Sequence, residues 1–481
     1  MPPSTASRVL IVLFDGLRPD MATPDRMPAL AEFLKGTRRY TEASSVFPSL
    51  TRVCATTIGT GQPPAVAGIV NNAFPDPAAR EGRFLDTSSA GDMRRGTAVH
   101  GPGFVATPRF ADSLAAAGRR FALVHSGSAG GAYLLDPRAK ANGSFIFSLS
   151  GRDAAETPEA WDRVVARLGP PPAAPPDKIP LVEYAGHAMA EVVLPELQPD
   201  VALLWLTEPD WSFHYRGMDA PGTRDAMRAA DRAFAGVLEA ASRLPGAERM
   251  AVIAMSDHGH VGTTGRFDLV AELAALGVEA VLDRPGADVS VAAGTMCWLW
   301  PREADPARLG RLAAALQERP WCGALLAAGG SGVEGPFPGT FDLALVNADH
   351  ARAAPLLIQM RGGPEADPYG LPGRSPIVGK DFPAGGGMHG GLHRREMGNL
   401  MALLAPGVPP GDDGSPVGLV DVAPTLLSLL GIAPLAPLPG RPFWAPARES
   451  RVLTTGRGDY RQYLAVAGEG RGSIVREGGR L

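Results

Sequence analysis

Phe47-Pro48-Ser49-Leu50-Thr51-Arg52 places a hydroxyl, Thr51, early in a chain of 481 residues. Distant segments carry the residue types that would activate it. Asp15, Asp210 and Asp257 each follow an apolar run, and His214 and His258 stand beside the last two. Ser256-Asp257-His258-Gly259-His260 is one such segment, and His389 and His393 come later, so five of the nine histidines fall in these stretches. A threonine alcohol is a weak nucleophile at neutral pH unless a base or a metal activates it. Three converging carboxylates would also repel one another: two unit charges about 4 Å apart cost roughly 4 kcal/mol at an effective dielectric near 20. No Lys or Arg cluster lies beside these motifs, and lysine occurs only at 35, 140, 178 and 380. Divalent cations would supply the missing charge, and mixed Asp/His donors suit Zn²⁺ best and Mn²⁺ next. Two ions about 3.5–4 Å apart would lower the Thr51 pKa and hold the attacking and leaving oxygens. The constellation predicts phosphoryl transfer with Thr51 as nucleophile.

Each residue alone has a plainer reading. Asp15 can cap the next helix, Asn71-Asn72 is an ordinary turn pair, and a lone histidine is more often a packed core residue than a ligand. Repetition of Asp/His pairs at strand ends is what favours chemistry.

The elements that must position these residues are apolar runs at 9–14, 201–206 and 250–255. Each is continuous enough for a strand buried on both faces. Acidic residues just past such strands stand where open α/β sheets bind ligands. Residues 53–60 are small and helix-compatible, which puts Thr51 at a helix N-terminus, where backbone N–H groups favour an anion. Helices are further expected at 28–36, 107–118, 181–194 and 222–243, and strands at 121–124 and 401–404. His125 lies by a small-residue loop, and 169–176 reads as a stiff Pro-rich spacer. From 266 to 385 strand-like pieces (295–300, 343–347, 356–360) alternate with a helix at 306–317 and many Pro/Gly loops. The division expected is a catalytic core of 1–265 and 386–450, an inserted α+β subdomain at 266–385 that covers the site, and a tail at 451–481 with one strand at 451–454.

Composition narrows the partners. A net charge of −4 argues against binding a nucleic-acid duplex. Cys54, Cys297 and Cys322 are odd in number and unpatterned, so neither a disulfide framework nor a Cys-based metal site is expected. The apolar run at 9–14 is too short for a signal segment or a membrane span, which leads to a cytoplasmic expectation without a membrane partner. Oligomeric state is not legible.

Taken together, the segments resemble the alkaline phosphatase superfamily in its type I phosphodiesterase/nucleotide pyrophosphatase branch. The resemblance rests on Asp15-Gly16, Pro48-Ser49-Leu50-Thr51, Thr60-Gly61, Gly68-Ile69-Val70 with Asn72, and Pro209-Asp210 with His214. It continues through Ser256-Asp257-His258-Gly259, His389-Gly390-Gly391 and Val420-Asp421 with Pro424-Thr425. It implies an α/β fold with a central, mostly parallel sheet flanked by helices. It also implies that Asp15, Thr51, Asp257 and His258 hold one metal, and that Asp210, His214 and His389 hold the other. Asn72 and the Arg52 backbone N–H would clamp the phosphoryl oxygens while Thr51 forms a phosphothreonine. His393 rivals His389, whose Gly-x-His-Gly setting matches the family better. The implied activity is hydrolysis of phosphodiester or pyrophosphate bonds in a small phosphorylated substrate.

Two departures matter. Arg52-Val53-Cys54 replaces the family's usual Phe-Pro-Asn, and Ala67-Gly68-Ile69 replaces His-Gly-Ile. Arg52 either points outward along its helix or neutralises an extra phosphoryl charge, which would favour monoesters. Pro63-Pro64-Ala65-Val66 also resembles phosphonoacetate hydrolase, making a phosphonate substrate the alternative, although the scarcity of lysine disfavours a held carboxylate. A non-catalytic metal-binding protein is the remaining alternative. A sulfatase is disfavoured, because Cys54 lacks that branch's Pro and Arg.

Overall fold

A computed structural model describes residues 5–481 except 106, 155, 174–176, 381 and 384, so the end of the Pro-rich spacer lies outside the described residues. The centre is an eight-stranded sheet. Its strands are β1 (Arg8–Phe14), β2 (Arg38–Tyr40), β3 (Phe121–His125), β4 (Phe145–Ser148), β5 (Val201–Leu206), β6 (Met250–Met255), β7 (Met401–Leu404) and β8 (Gly411–Asp413). Their spatial order is β8-β2-β7-β6-β1-β5-β3-β4. All are parallel except β7, which runs against both β2 and β6. The continuous apolar runs sit in its middle because helices cover both faces. β5 and β6 are buried along their whole length, and β1 from Val9 onward. One face packs against the helices Pro221–Ser242 and Ile179–His187 through Leu10, Val12, Phe234 and Val182. The other packs against the helices Thr51–Thr60 and Val422–Leu429 through Ile11, Leu13, Ile58 and Leu426.

Parallel register does the positioning. Phe14 pairs with Leu206 and Leu13 with Met255, so the carboxyl ends of β1, β5 and β6 finish level. The chain past each end carries Asp15, Asp210 or Asp257 to one edge of the sheet.

Beyond the central sheet lies a six-stranded sheet, in the order Ala280–Leu282, Val289–Ala292, Met296–Pro301, Leu356–Met360, Cys322–Ala327, Phe341–Asp342. With the helices Leu269–Ala275 and Pro306–Gln317 it has its own core, including Leu273, Leu299, Leu312 and Ile358. The expected strand at 343–347 is instead a 3₁₀ turn, Leu343–Val346. The Asp342 side chain accepts from the Ala344 N–H, and Asn347 ends the turn in the left-handed region at φ 54°. A four-stranded sheet connects this region to the site. In it Val261–Phe267 pairs antiparallel with Gly387–Met388, Val261 opposite Met388. The segment 450–480, where the sequence indicates one strand, forms three: Ser450–Arg457, Tyr460–Ala467 and Ile474–Arg480. Gln462 docks this meander by accepting from Leu325 N (2.8 Å) and donating to the carbonyls of Leu325 (3.1 Å) and Gly339 (2.8 Å).

Candidate metal centre and nucleophile

Thr51 is the first residue of the helix Thr51–Thr60, with Leu50 in extended conformation just before it. Its Oγ1 lies 3.3 Å from His258 Nε2. The same nitrogen is 3.3 Å from Asp257 Oδ2 and 3.5 Å from Asp15 Oδ1. The outer oxygens of these carboxylates are already used. Asp15 Oδ2 accepts from Trp205 Nε1 (2.9 Å), and Asp257 Oδ1 accepts from the N–H groups of Gly16 (3.0 Å) and His258 (3.1 Å). Asp15 Oδ1 and Asp257 Oδ2 are therefore aimed inward, buried and without a hydrogen-bond partner.

Beside them, Asp210 Oδ1 faces three imidazoles: His260 Nε2 at 3.2 Å, His214 Nε2 at 3.4 Å and His389 Nε2 at 3.4 Å. Asp210 and His214 are one turn apart on the helix Asp210–Arg216, which places both on one face. No family motif in the sequence includes His260. The Val261–Met388 pairing sets it opposite His389, a long-range register that no local motif reveals. Trp205, which fixes Asp15, and Phe382, whose ring stacks on His214 at 4.9 Å, also lie outside the motifs. The rings of His258 and His389 stack at 3.6 Å.

Tautomers follow from the backbone. Nδ1 of His214, His258, His260 and His389 lies 2.7, 3.1, 3.0 and 2.7 Å from the carbonyls of Gly387, Gly259, Gly16 and Ser49. A carbonyl only accepts, so each Nδ1 carries the proton and each Nε2 lone pair faces the cluster. That is the arrangement in which histidines bind metals.

Electrostatics point the same way. Burial, then the charges of Asp257 and Asp210, raises the Asp15 carboxyl well above its usual range, and burial pushes Asp257 up to about 8. His258 is pushed down to about 3 and His389 falls well below the ordinary range, by burial first and by neighbouring imidazoles next. Unaided, Asp15, Asp257, His258 and His389 thus favour their neutral forms, whereas Asp210, despite the opposing effect of burial, is drawn well below the usual carboxylate range by the imidazoles around it, His214 foremost. A bound cation reverses that preference for the carboxylates, and the donor set of carboxylate oxygens and imidazole nitrogens fits one. Two groups have ligand-ready spacing: Asp210, His214, His260 and His389, and Asp15, Asp210 and His258.

Asn72 lies next to Thr51, its Oδ1 accepting from the Arg52 N–H at 3.3 Å. Arg52 Nε is buried without a partner, and its guanidinium charge acts on both Asp15 and His125. His125 is buried against Trp205 (ring centroids 5.3 Å) and accepts from Gly127 N, so it backs the residue that holds Asp15. His393 is not in the cluster. It caps the helix Arg394–Met397, accepting from Arg395 N. Cys54 is a packed thiol contacting Ser45 and the Asp257 carbonyl.

A central α/β sheet whose carboxyl edge gathers three aspartates, four imidazoles and a helix-terminal threonine is the architecture of the alkaline phosphatase superfamily. The profile of the type I phosphodiesterase/nucleotide pyrophosphatase family matches residues 9–322, and the chain belongs to that family of hydrolases. Among solved structures, murine ectonucleotide pyrophosphatase/phosphodiesterase 5 has a TM-score of 0.60 at 16% identity, over 89% of this chain and 96% of its own. The human counterpart has a TM-score of 0.60 at 14% identity, over 91% and 98%. An inactive variant of the murine protein in complex with AMP has a TM-score of 0.58 at 16% identity, over 89% of this chain and 96% of its own. No curated protein matches the sequence. Among the described residues no helix is long and apolar enough to cross a membrane.

Proposed function

We propose that the chain hydrolyses a phosphodiester or pyrophosphate bond in a small phosphorylated substrate, with Thr51 as the nucleophile. The carrying observation is the placement of Thr51 Oγ1 at a helix N-terminus, 3.3 Å from His258 Nε2 and beside the unpartnered oxygens of Asp15 and Asp257. Asp15, Thr51, Asp257 and His258 would hold one divalent ion and Asp210, His214 and His389 a second, Zn²⁺ by donor type with Mn²⁺ as the alternative. When bound, such ions supply Lewis acidity that lowers the threonine pKa and offsets phosphoryl charge.

This chain's own residues do the rest. Thr51 Oγ1 gives up its proton to solvent and forms a bond to phosphorus, while the bond from phosphorus to the leaving oxygen breaks and that oxygen takes a proton from solvent. The Arg52 N–H and the Asn72 side chain, which bond to each other beside Thr51 in this structure, would turn to the non-bridging oxygens as charge moves onto them. Water then attacks the phosphothreonine, releasing phosphate product and restoring the hydroxyl. Residues 266–385 form the unit we read as limiting what reaches Thr51. Arg352 from this unit donates to the Gly68 carbonyl at 3.1 Å, behind the Asn72 loop. The AMP complex of the murine relative supports a nucleotide-like substrate.

A second reading concerns the charge of that substrate. Arg52 replaces the aromatic residue of the family pattern, and its buried Nε and its effect on Asp15 favour an inward guanidinium. An inward Arg52 favours phosphomonoesters. One hydrolysis panel tests both readings, comparing an aryl diester, a nucleotide diester, an aryl monoester and phosphonoacetate on metal-reconstituted protein. Thr51→Ala should lose at least about 10³-fold in kcat on every good substrate; wild-type activity in that variant would sink the mechanism. Arg52→Ala should cost about tenfold or more on the monoester and little on the diesters, as for a lost charge-assisted contact. Equal losses would remove the monoester reading.

A further inference from the structure

His260 shares the geometry of the ligands carried over from the family, yet lies outside the motif. Its ring is wholly buried. Nδ1 donates to the Gly16 carbonyl at 3.0 Å, so the Nε2 lone pair points at Asp210 Oδ1, 3.2 Å away. Both atoms are buried and neither has a partner within the protein. Two acceptors held this close repel unless a proton or a cation lies between them, and a proton there would require a charged imidazole.

The spacing selects the cation. Zinc–nitrogen and zinc–oxygen bonds of about 2.0–2.1 Å, set tetrahedrally, put neighbouring donors about 3.3–3.4 Å apart. His260, His214 and His389 stand 3.2, 3.4 and 3.4 Å from Asp210 Oδ1. The backbone is also shaped around the ring. Gly16 adopts φ +69°, and a Cβ there would collide with His260 Cε1; a Cβ at Gly387 would come within 3.0 Å of His260 Cδ2. Phe213 packs edge-on at 5.0 Å and fixes the ring plane.

We propose that His260, through Nε2, is a fourth protein ligand at the metal position formed by Asp210, His214 and His389. The inference rests on the reading of this cluster as a divalent-metal centre. It changes the character of that position: three imidazoles and a carboxylate close a tetrahedron, whereas three protein donors would leave a corner open. Substrate oxygen then reaches this metal only through a fifth bond or by exchange with a protein ligand, while the position beside Thr51 keeps its freedom.

The test is metal binding by the full chain, stripped with a chelator and retitrated. Zn²⁺ affinity is read by competition with a chromophoric chelator, and coordination by the visible bands of the Co²⁺ form. His260→Ala and His260→Met, the latter filling the space without a nitrogen donor, should each weaken one of the sites more than about 100-fold, beyond the 10–100-fold usual for a residue that only orients a ligand. Their Co²⁺ bands should also differ from wild type. A Co²⁺ spectrum unchanged from wild type overturns the proposal at any affinity, because His260 would then act only by positioning Asp210. Retained affinity in both variants also overturns it. His214→Ala separates the two levels: if it too binds metal like wild type, the metal-centre reading fails, whereas normal binding in the His260 variants alone defeats only the fourth ligand. Thermal unfolding of the metal-free variants verifies that any loss is not misfolding.

Discussion

Asp421 and the sheet-edge aspartates Asp15 and Asp257 are all buried, and the two regions solve the charge problem in opposite ways. Asp421, at the start of the helix Val422–Leu429, meets Arg448 through two 2.7 Å hydrogen bonds. It also accepts from Gly418 N (3.0 Å) and Arg441 N (2.8 Å), so both oxygens are satisfied from within the chain. At the sheet edge, Asp15, Asp210 and Asp257 each leave an inward oxygen unpartnered, and burial holds the adjacent His258 and His389 toward the neutral form. A buried carboxylate needs a counter-charge and donors. Asp421 finds them in the protein and is a structural joint; on the reading proposed above, the edge cluster takes them from a bound ion.

The sharpest way to break this contrast is to neutralise one aspartate of each kind. Asp210→Asn should abolish binding at one metal position and cut hydrolysis by about 10³-fold or more, read by metal analysis and turnover. Asp421→Asn should leave metal content unchanged; metal loss there would mean that the two centres are not distinct. Next in size, Arg448→Met strands a buried carboxylate and should cost about 3–5 kcal/mol in denaturant unfolding, with the folded fraction still binding metal normally. Replacing both members with apolar residues should recover most of that loss. If Arg448→Met is neutral, the ion pair is not what holds this joint.

The smallest effect concerns a third kind of buried acid, Glu396, which has donors but no cation. It accepts from Thr295 Oγ1, Gly391 N and His393 N, and burial pushes it up to about 7. Its folded pKa exceeds the ordinary value of 4.5, so between the two the folded protein binds more protons than the unfolded chain. Its contribution to stability is complete below about 4.5 and fades as pH rises through about 7. Relative to Glu396→Gln, wild type should lose a few degrees of unfolding midpoint between pH 5 and 8.5. An identical slope in both proteins would show that Glu396 does not titrate there.

Much of this was legible in the sequence, for identifiable reasons. Asp15, Asp210 and Asp257 follow apolar runs long enough to mark buried parallel strands, and the level finish of those strands is a general property of open α/β sheets. His214 could be read because helical spacing ties it to Asp210. His260 could not, since its role depends on the pairing of Val261 with Met388, far away in the chain. At 343–347 an apolar string looks like a strand, but the Asp342 side chain caps it as a turn. Near the C-terminus, the Gly- and Arg-rich composition hid two strands whose stability comes from docking, above all through Gln462, rather than from local propensity.

The Val261–Met388 pairing also fixes when the centre can exist. During synthesis residues 1–260 leave the ribosome first, carrying Asp15, Thr51, Asp210, His214 and the 257–260 segment. His389 and β7, the strand joining β2 to β6, emerge only after the whole six-stranded region has been made. A nascent chain therefore carries the carboxylates without their last imidazole and with the sheet still open between β2 and β6. On the metal-centre reading proposed above, ion capture at Asp210 becomes a closing step of maturation, and faults in the intervening region should appear as a full-length protein that is only partly metallated.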